Sequence, residues 1–193
     1  MGRKNLATER REELLDAFER CILNYGLEGA SLDQVAEEAG MKRSIIRHYI
    51  GNRDELIDAL IERITTQIMQ QHDSTGLDIE PLALIQVVLD EMFAEEREFH
   101  TRDKIILDIL MAAKTRYPRA KQMLVGMFEN LVMGFTSDLG RAYPSASPEA
   151  CNRVAYALLC MSEMHDSLMW LGVAPRYNAE ARAAAETLLK TLI

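Results

Sequence analysis

The chain has 193 residues, 48% of them hydrophobic, which is enough for one ordinary domain or two small ones with a sizeable core and excludes extensive disorder. The formal net charge is −8, yet all of the excess acid lies after residue 53, because residues 1–53 hold nine Lys and Arg and nine Asp and Glu. No apolar run reaches the ~18 residues of a membrane span, the polar start Met1-Gly-Arg-Lys-Asn does not read as a secretory signal, and the three cysteines (Cys21, Cys151, Cys160) read as reduced, buried thiols of a cytoplasmic protein.

Every element reads as helix; alternating strand patterns and hairpin dipeptides are absent. A first helix is expected from about Thr8 to Tyr25, with Leu14, Leu15, Phe18, Cys21, Ile22 and Tyr25 on its buried face and Gly26 stopping it. A short second helix opens at Ser31. Ser31-Leu-Asp-Gln34 is a capping box, in which the serine oxygen accepts a first-turn amide while the Gln34 side chain reaches back. Gly40 breaks this helix, and a third covers about Lys42 to Ile50. The fourth runs from Arg53 to about His72, burying Leu56, Ile57, Leu60, Ile61, Ile64 and Ile68. Pro81 starts a fifth that reaches Glu98. The sixth, Arg102 to Tyr117, is apolar on nearly every side from Ile105 to Ala113, which places it in the middle of the second half. A seventh runs from Pro118 to about Arg141. Ser147-Pro148-Glu149 opens an eighth that continues to about Leu171, and Asn178 caps a ninth.

The second and third helices, joined by a glycine turn, fit a helix-turn-helix. On a helical wheel Ile46, Tyr49 and Ile50 share an apolar sector, while Ser44, Arg47 and His48 lie roughly opposite. One face packs inward and the other offers only donors and small polar groups, as a helix entering the major groove requires. No acid occurs between Glu38 and Asp54, while Lys42, Arg43, Arg47 and Arg53 do. Such a basic island would turn one face of an acidic protein toward phosphate.

The segment Gly26 to Leu56 (GLEGASLDQVAEEAGMKRSIIRHYIGNRDEL) resembles the N-terminal signature of the TetR family of regulators. The matching features are a glycine after the first helix, a serine opening the second, Val-Ala-x-x-Ala-Gly, and a helix ending in an aromatic before a basic-acidic-x-Leu step. They extend over about Arg10 to Leu60. The resemblance implies a homodimer, a double-stranded operator of two-fold symmetry and a variable C-terminal ligand domain. It also implies that Ser31 touches a phosphate, that Lys42, Arg43, Ser44, Arg47 and His48 face the groove, and that Tyr49 and Arg53 bracket the DNA backbone. The chain departs from the family pattern at Ile45, Arg47 and Ile50. Arg47 stands where an aromatic is common, and its forked donors suit guanine O6 and N7, so it is expected to read a G·C pair.

Eleven methionines supply the second half with adaptable apolar side chains. Met92, Phe93, Phe99, Asp108, Met111, Met127, Phe128, Met161 and His165 form the candidate ligand-binding set; each reads equally as core filling or as a paired structural group. Val154 to Met161 is apolar nearly all round, and Ala181, Ala184 and Ala185 permit close helix contact. The last two helices are therefore the expected dimer surface, spacing two recognition helices about one DNA turn (~34 Å) apart. No nucleophile-base set, phosphate-binding glycine loop or metal-ligand spacing appears, so no catalytic residue, cofactor or metal is expected.

The expected architecture is all-α, with about nine helices: a helix-turn-helix head over residues 1–53 and an effector-binding and dimerisation bundle over 54–193. The expected function is a cytoplasmic, sequence-specific transcriptional regulator, a repressor released from a palindromic operator by a small, largely apolar ligand. Two other readings stay open. One is a DNA-binding regulator controlled by a partner; the other is a helical small-molecule-binding protein or enzyme without a DNA role.

Overall fold

The computed structural model describes residues 3–73, 79–94, 101–113, 115–169 and 172–193. Among them are nine α-helices: α1 (Arg3–Gly29), α2 (Leu32–Glu38), α3 (Arg43–Tyr49), α4 (Arg53–Asp73), α5 (Pro81–Met92), α6 (Thr101–Ala113), α7 (Pro118–Ala142), α8 (Pro148–Met169) and α9 (Asn178–Leu189). No strand occurs among the described residues. The chain forms two compact units. The first comprises residues 1–70 and 100–125, the second residues 71–99 and 126–193. The division of roles expected at residue 53 does not coincide with these limits, since α4 and α6 belong largely to the unit that holds α1 to α3.

In the first unit α1 buries Leu14, Leu15, Phe18, Cys21 and Ile22, as the 3-and-4 spacing predicts. Gly26 interrupts the helix with φ 71° and ψ 166°. The break turns Tyr25, expected on the buried face, outward to 57% exposure, while Leu27 and Ala30 beyond it are buried. Arg63 of α4 ties that helix to α1 by ion pairs to Glu12 at 3.1 Å, Asp16 at 2.6 Å and Glu19.

Helix α6 corrects the reading that placed it at the centre of the second half. It packs against α1 in the first unit. Ile105, Ile109 and Ala113 face inward, one turn apart, whereas Leu110 and Met111 are exposed. A helix apolar on all sides carries no directional signal, so its sequence does not say which neighbour it will bury against.

The second unit buries Ile85, Leu89 and Phe93 of α5, Phe135 and Leu139 of α7, Cys151, Val154, Ala155 and Leu158 of α8, and Ala185 and Leu189 of α9 in one cluster. Arg182 of α9 bridges to Asp90 of α5 at 2.7 Å and to Gln86 at 3.0 Å. The start signals of this half act as read: Pro81 occupies the first turn of α5, and Ser147 Oγ accepts the Ala150 amide at 3.2 Å. Helix α5 is shorter than expected, ending at Met92 with Phe93 as its cap. Helix α6 likewise stops at Ala113 rather than Tyr117. Ala184, expected with Ala181 and Ala185 to permit close contact with a second copy, is exposed, whereas Ala185 is buried within the unit. Asn178 does not cap α9; Tyr177 holds that position, and the Asn178 side chain is buried in a hydrogen-bonded bridge.

Candidate nucleic-acid interface

The site is built on α2, α3 and the turn between them. Both halves of the capping box form: the Gln34 amide donates to Ser31 Oγ at 3.3 Å, and the Ser31 amide donates to Gln34 Oε1 at 2.9 Å. Helix α2 ends in a Schellman turn, with the Met41 amide donating to Ala36 O at 2.8 Å and the Gly40 amide to Glu37 O at 3.0 Å. Gly40 has φ 62°, a conformation open to glycine because it has no Cβ to strike the neighbouring carbonyl. The turn thus closes the end of α2 with backbone bonds alone. The Arg20–Glu38 pair at 2.6 Å links α1 to the end of α2.

Ile46 is fully buried beneath α3, with Ile45, Tyr49 and Ile50 half-buried around it. Lys42, Arg43, Ser44, Arg47 and His48 are all exposed. The wheel therefore holds: one sector anchors α3, and the other presents donors to solvent. Ser31 is exposed at the start of α2, and the Tyr49 ring meets His48 edge-on at 4.8 Å.

Two of the basic residues are already engaged. Arg43 Nη1 lies 3.0 Å from Oδ1 and 2.8 Å from Oδ2 of Asp33 on α2. Arg53 is turned inward. It donates through Nε to Ala30 O at 3.4 Å, through Nη2 to Leu27 O and through Nη1 to the Tyr117 hydroxyl, with its guanidinium 5.9 Å from the Tyr117 ring centre. Arg53, expected to bracket the DNA backbone, is held by partners within the protein. Its guanidinium is spent on two carbonyls of the α1–α2 connection and on the residue before α7, because these acceptors would otherwise be poorly hydrated. Arg116, which pairs with Glu28 at 2.8 Å, fastens the same segment. The side chains of Lys42 and Arg47 have no ion-pair or hydrogen-bond partner among the described residues.

The candidate ligand residues are divided between the two compact units. Asp108 and Met111 belong to the first unit, and Met111 is 72% exposed. Phe99 lies outside the described residues. In the second unit Phe93 and His165 are buried and meet edge-on at 5.8 Å, while Met92, Met127, Phe128 and Met161 are half-buried. His165 Nε2 lies 2.8 Å from Asn178 Oδ1, and Asn178 Nδ2 donates to Ala94 O at 3.1 Å. The polar edge of His165 is thereby committed to an internal bridge.

Asp33, Tyr117 and Asn178 are the contributors that sequence reasoning missed. Asp33 carries a faint signal, an acid in the first turn of α2 facing a base at the first residue of α3. The other two depend on contacts far apart in the chain.

A capped short helix, a Schellman turn and a two-faced second helix define a helix-turn-helix of the transcription-regulator class. The family model described as "Bacterial regulatory proteins, tetR family" matches residues 14–60. The chain is 31% identical over 91 residues to the HTH-type transcriptional regulator PksA of Bacillus subtilis (strain 168), a match spanning 47% of this chain and 44% of that protein. It is 22% identical over 182 residues to the HTH-type transcriptional regulator BetI of Stenotrophomonas maltophilia (strain R551-3), covering 93% of this chain and 90% of the relative. Its fold is similar to the crystal structure of a TetR transcription regulator from Haloarcula marismortui, with a TM-score of 0.81 at 14% identity over 95% of this chain and 98% of that one. Residues 14–60 thus carry the DNA-binding segment of TetR-family regulators, and the chain shares the fold of a solved member of that family.

Proposed function

We propose that the protein is a cytoplasmic DNA-binding regulator that recognises a palindromic operator as a homodimer and is released from it by a small apolar effector. The observation that carries the DNA-binding reading is the exposed donor face of α3, Lys42, Arg43, Ser44, Arg47 and His48, opposite the buried Ile46. Ser31 and Tyr49 supply flanking phosphate contacts in this reading. Arg47 reads a G·C pair: it is exposed and unpaired, and its fork suits guanine.

Dimerisation through α8 and α9 would place two such faces about one DNA turn apart, ~34 Å. Exposed Tyr156 and Met164 on α8 support an apolar contact there. For the effector site, the buried Phe93 beside half-buried Met92 and Met161 favours an apolar ligand. The commitment of His165 to Asn178 argues against a polar contribution from that ring.

The test is selection of bound sequences from random duplex DNA by the purified protein, followed by binding across a salt series. The reading expects a two-fold symmetric consensus and a salt-dependent affinity. Arg47→Ala should relax preference at one base pair per half-site. Uniform weakening across all sequences would make Arg47 a phosphate contact instead, and no binding at low salt would reject the DNA role.

A further inference from the structure

Resting on the DNA-binding reading, we propose that Asp33 is a positioning residue for base recognition, holding Arg43 so that one edge of its guanidinium is presented to a single guanine. The Asp33 carboxylate takes Nη1 alone, at 3.0 and 2.8 Å. Nε and Nη2 make no hydrogen bond among the described residues. These two nitrogens form the side-on edge of the guanidinium, with parallel N–H groups spaced to meet the O6 and N7 acceptors of guanine in the major groove.

A purely structural role does not account for the pair. Asp33 is 69% and Arg43 49% exposed, and exposed ion pairs add little to folding because water and salt screen them and the side chains lose freedom. An unpartnered carboxylate on the face that approaches DNA would also oppose phosphate. Holding the base-reading arginine supplies a reason for an acid there. It removes the rotamer freedom that Arg43 would otherwise lose on binding, and the pair strengthens once DNA excludes water from it. Because it spans from the first turn of α2 to the first residue of α3, the pair makes the aim of Arg43 depend on the helix-turn-helix geometry itself. Arg47, one turn further along and unpaired, has no such guide.

The test uses the full-length protein and the operator it selects. Asp33→Ala, Arg43→Ala and Arg43→Lys are compared by competition binding against each single base-pair change, and against operators in which successive guanines are replaced by 7-deazaguanine, which lacks the N7 acceptor. All three variants should lose about tenfold or more of the G·C preference at one and the same base pair, where wild type alone responds to 7-deazaguanine. Asp33→Ala should keep or gain total affinity, since a negative charge has been removed, and the double variant should lose no further discrimination. Thermal unfolding of Asp33→Ala should follow wild type. The proposal is overturned if Asp33→Ala retains wild-type preference at every position, or if Arg43→Ala weakens all sequences equally. Failure of the wild type to bind DNA would reject the DNA-binding reading and this inference with it, whereas a normal operator insensitive to Asp33 would reject only the inference.

Discussion

Replacing Arg53 with alanine tests whether the first basic residue of α4 is a clamp within the protein or a contact to DNA. The guanidinium serves three acceptors: Leu27 O, Ala30 O and the Tyr117 hydroxyl. A hydrogen bond from a charged donor contributes about 1.5–3 kcal/mol, and the Nε bond to Ala30 at 3.4 Å is long enough to count for less. Partial rehydration of the freed carbonyls offsets part of the loss, leaving an expected destabilisation of about 3 kcal/mol for Arg53→Ala and about 1 kcal/mol for Tyr117→Phe. For a chain of this size that is a fall of roughly 6–12 °C in Tm for the alanine variant. Urea and thermal unfolding followed by circular dichroism, at matched protomer concentration, measure it. Arg53→Lys is the discriminating control. It keeps the charge that a phosphate contact needs, but one ammonium cannot span three separated acceptors, so the clamp predicts that it stays well below wild type in stability. Wild-type unfolding by Arg53→Ala, within about 0.5 kcal/mol, or full recovery by lysine, would refute the clamp.

Gly40→Ala should cost about 1 kcal/mol in urea unfolding, because no atom lies within 4 Å of the added Cβ and only the left-handed backbone at φ 62° is penalised; Gly40→Asn should cost less. Burial holds the Asp58 carboxyl above its ordinary value of 3.8, against the opposing pull of Arg119, so its ionisation weakens the folded state as pH rises. The stability associated with its protonated form is complete below 3.8 and is lost as pH climbs through the raised folded value. Asp58→Asn should therefore gain on wild type between acid and neutral pH in urea midpoints, and a constant difference would contradict the shift. Asn178→Ala leaves His165 Nε2 and Ala94 O without their partners and should cost about 2 kcal/mol; an unchanged midpoint would return His165 to the list of ligand contacts.

The legible parts of this chain are those whose partners lie within one or two turns of sequence. The Ser31–Gln34 box, the Gly40 turn and the two faces of α3 each involve residues no more than about six apart, so spacing alone specifies them. The same holds for Pro81 and Ser147 as helix starts. What escaped reading joins distant positions or lacks direction. Arg53 meets a tyrosine 64 residues away, and Asn178 meets a carbonyl 84 residues away. The basic character of Arg53 suggested phosphate, yet buried carbonyls claimed it. Helix α6 shows the opposite failure: its apolar positions were obvious, but their even distribution left its partner unspecified.

These corrections change what electrostatics should show. The acid-free stretch holds four basic residues before Asp54, which by count would give eight phosphate-directed charges in a dimer. Arg43 is neutralised by Asp33 and Arg53 is turned inward, leaving Lys42 and Arg47 in each head. Elsewhere in the first 53 residues Arg10, Arg11 and Arg20 are paired with Glu13, Glu62 and Glu38. Among the described side chains, Lys42 and Arg47 of the two heads predict a plot of log affinity against log salt with a slope no steeper than about −3.6, and shallower where Arg47 meets a base and not phosphate, whereas eight phosphate contacts would give about −7. Titrating the selected operator from low to physiological salt distinguishes the two. A slope near −7 that flattens when Arg3 and Lys4 are replaced by alanine would assign the excess to the N-terminal segment. A slope near −7 that Arg43→Ala and Arg53→Ala each reduce by about two units, one contact per protomer, would mean that both side chains leave their protein partners for phosphate, and that the internal contacts belong to the DNA-free protein alone.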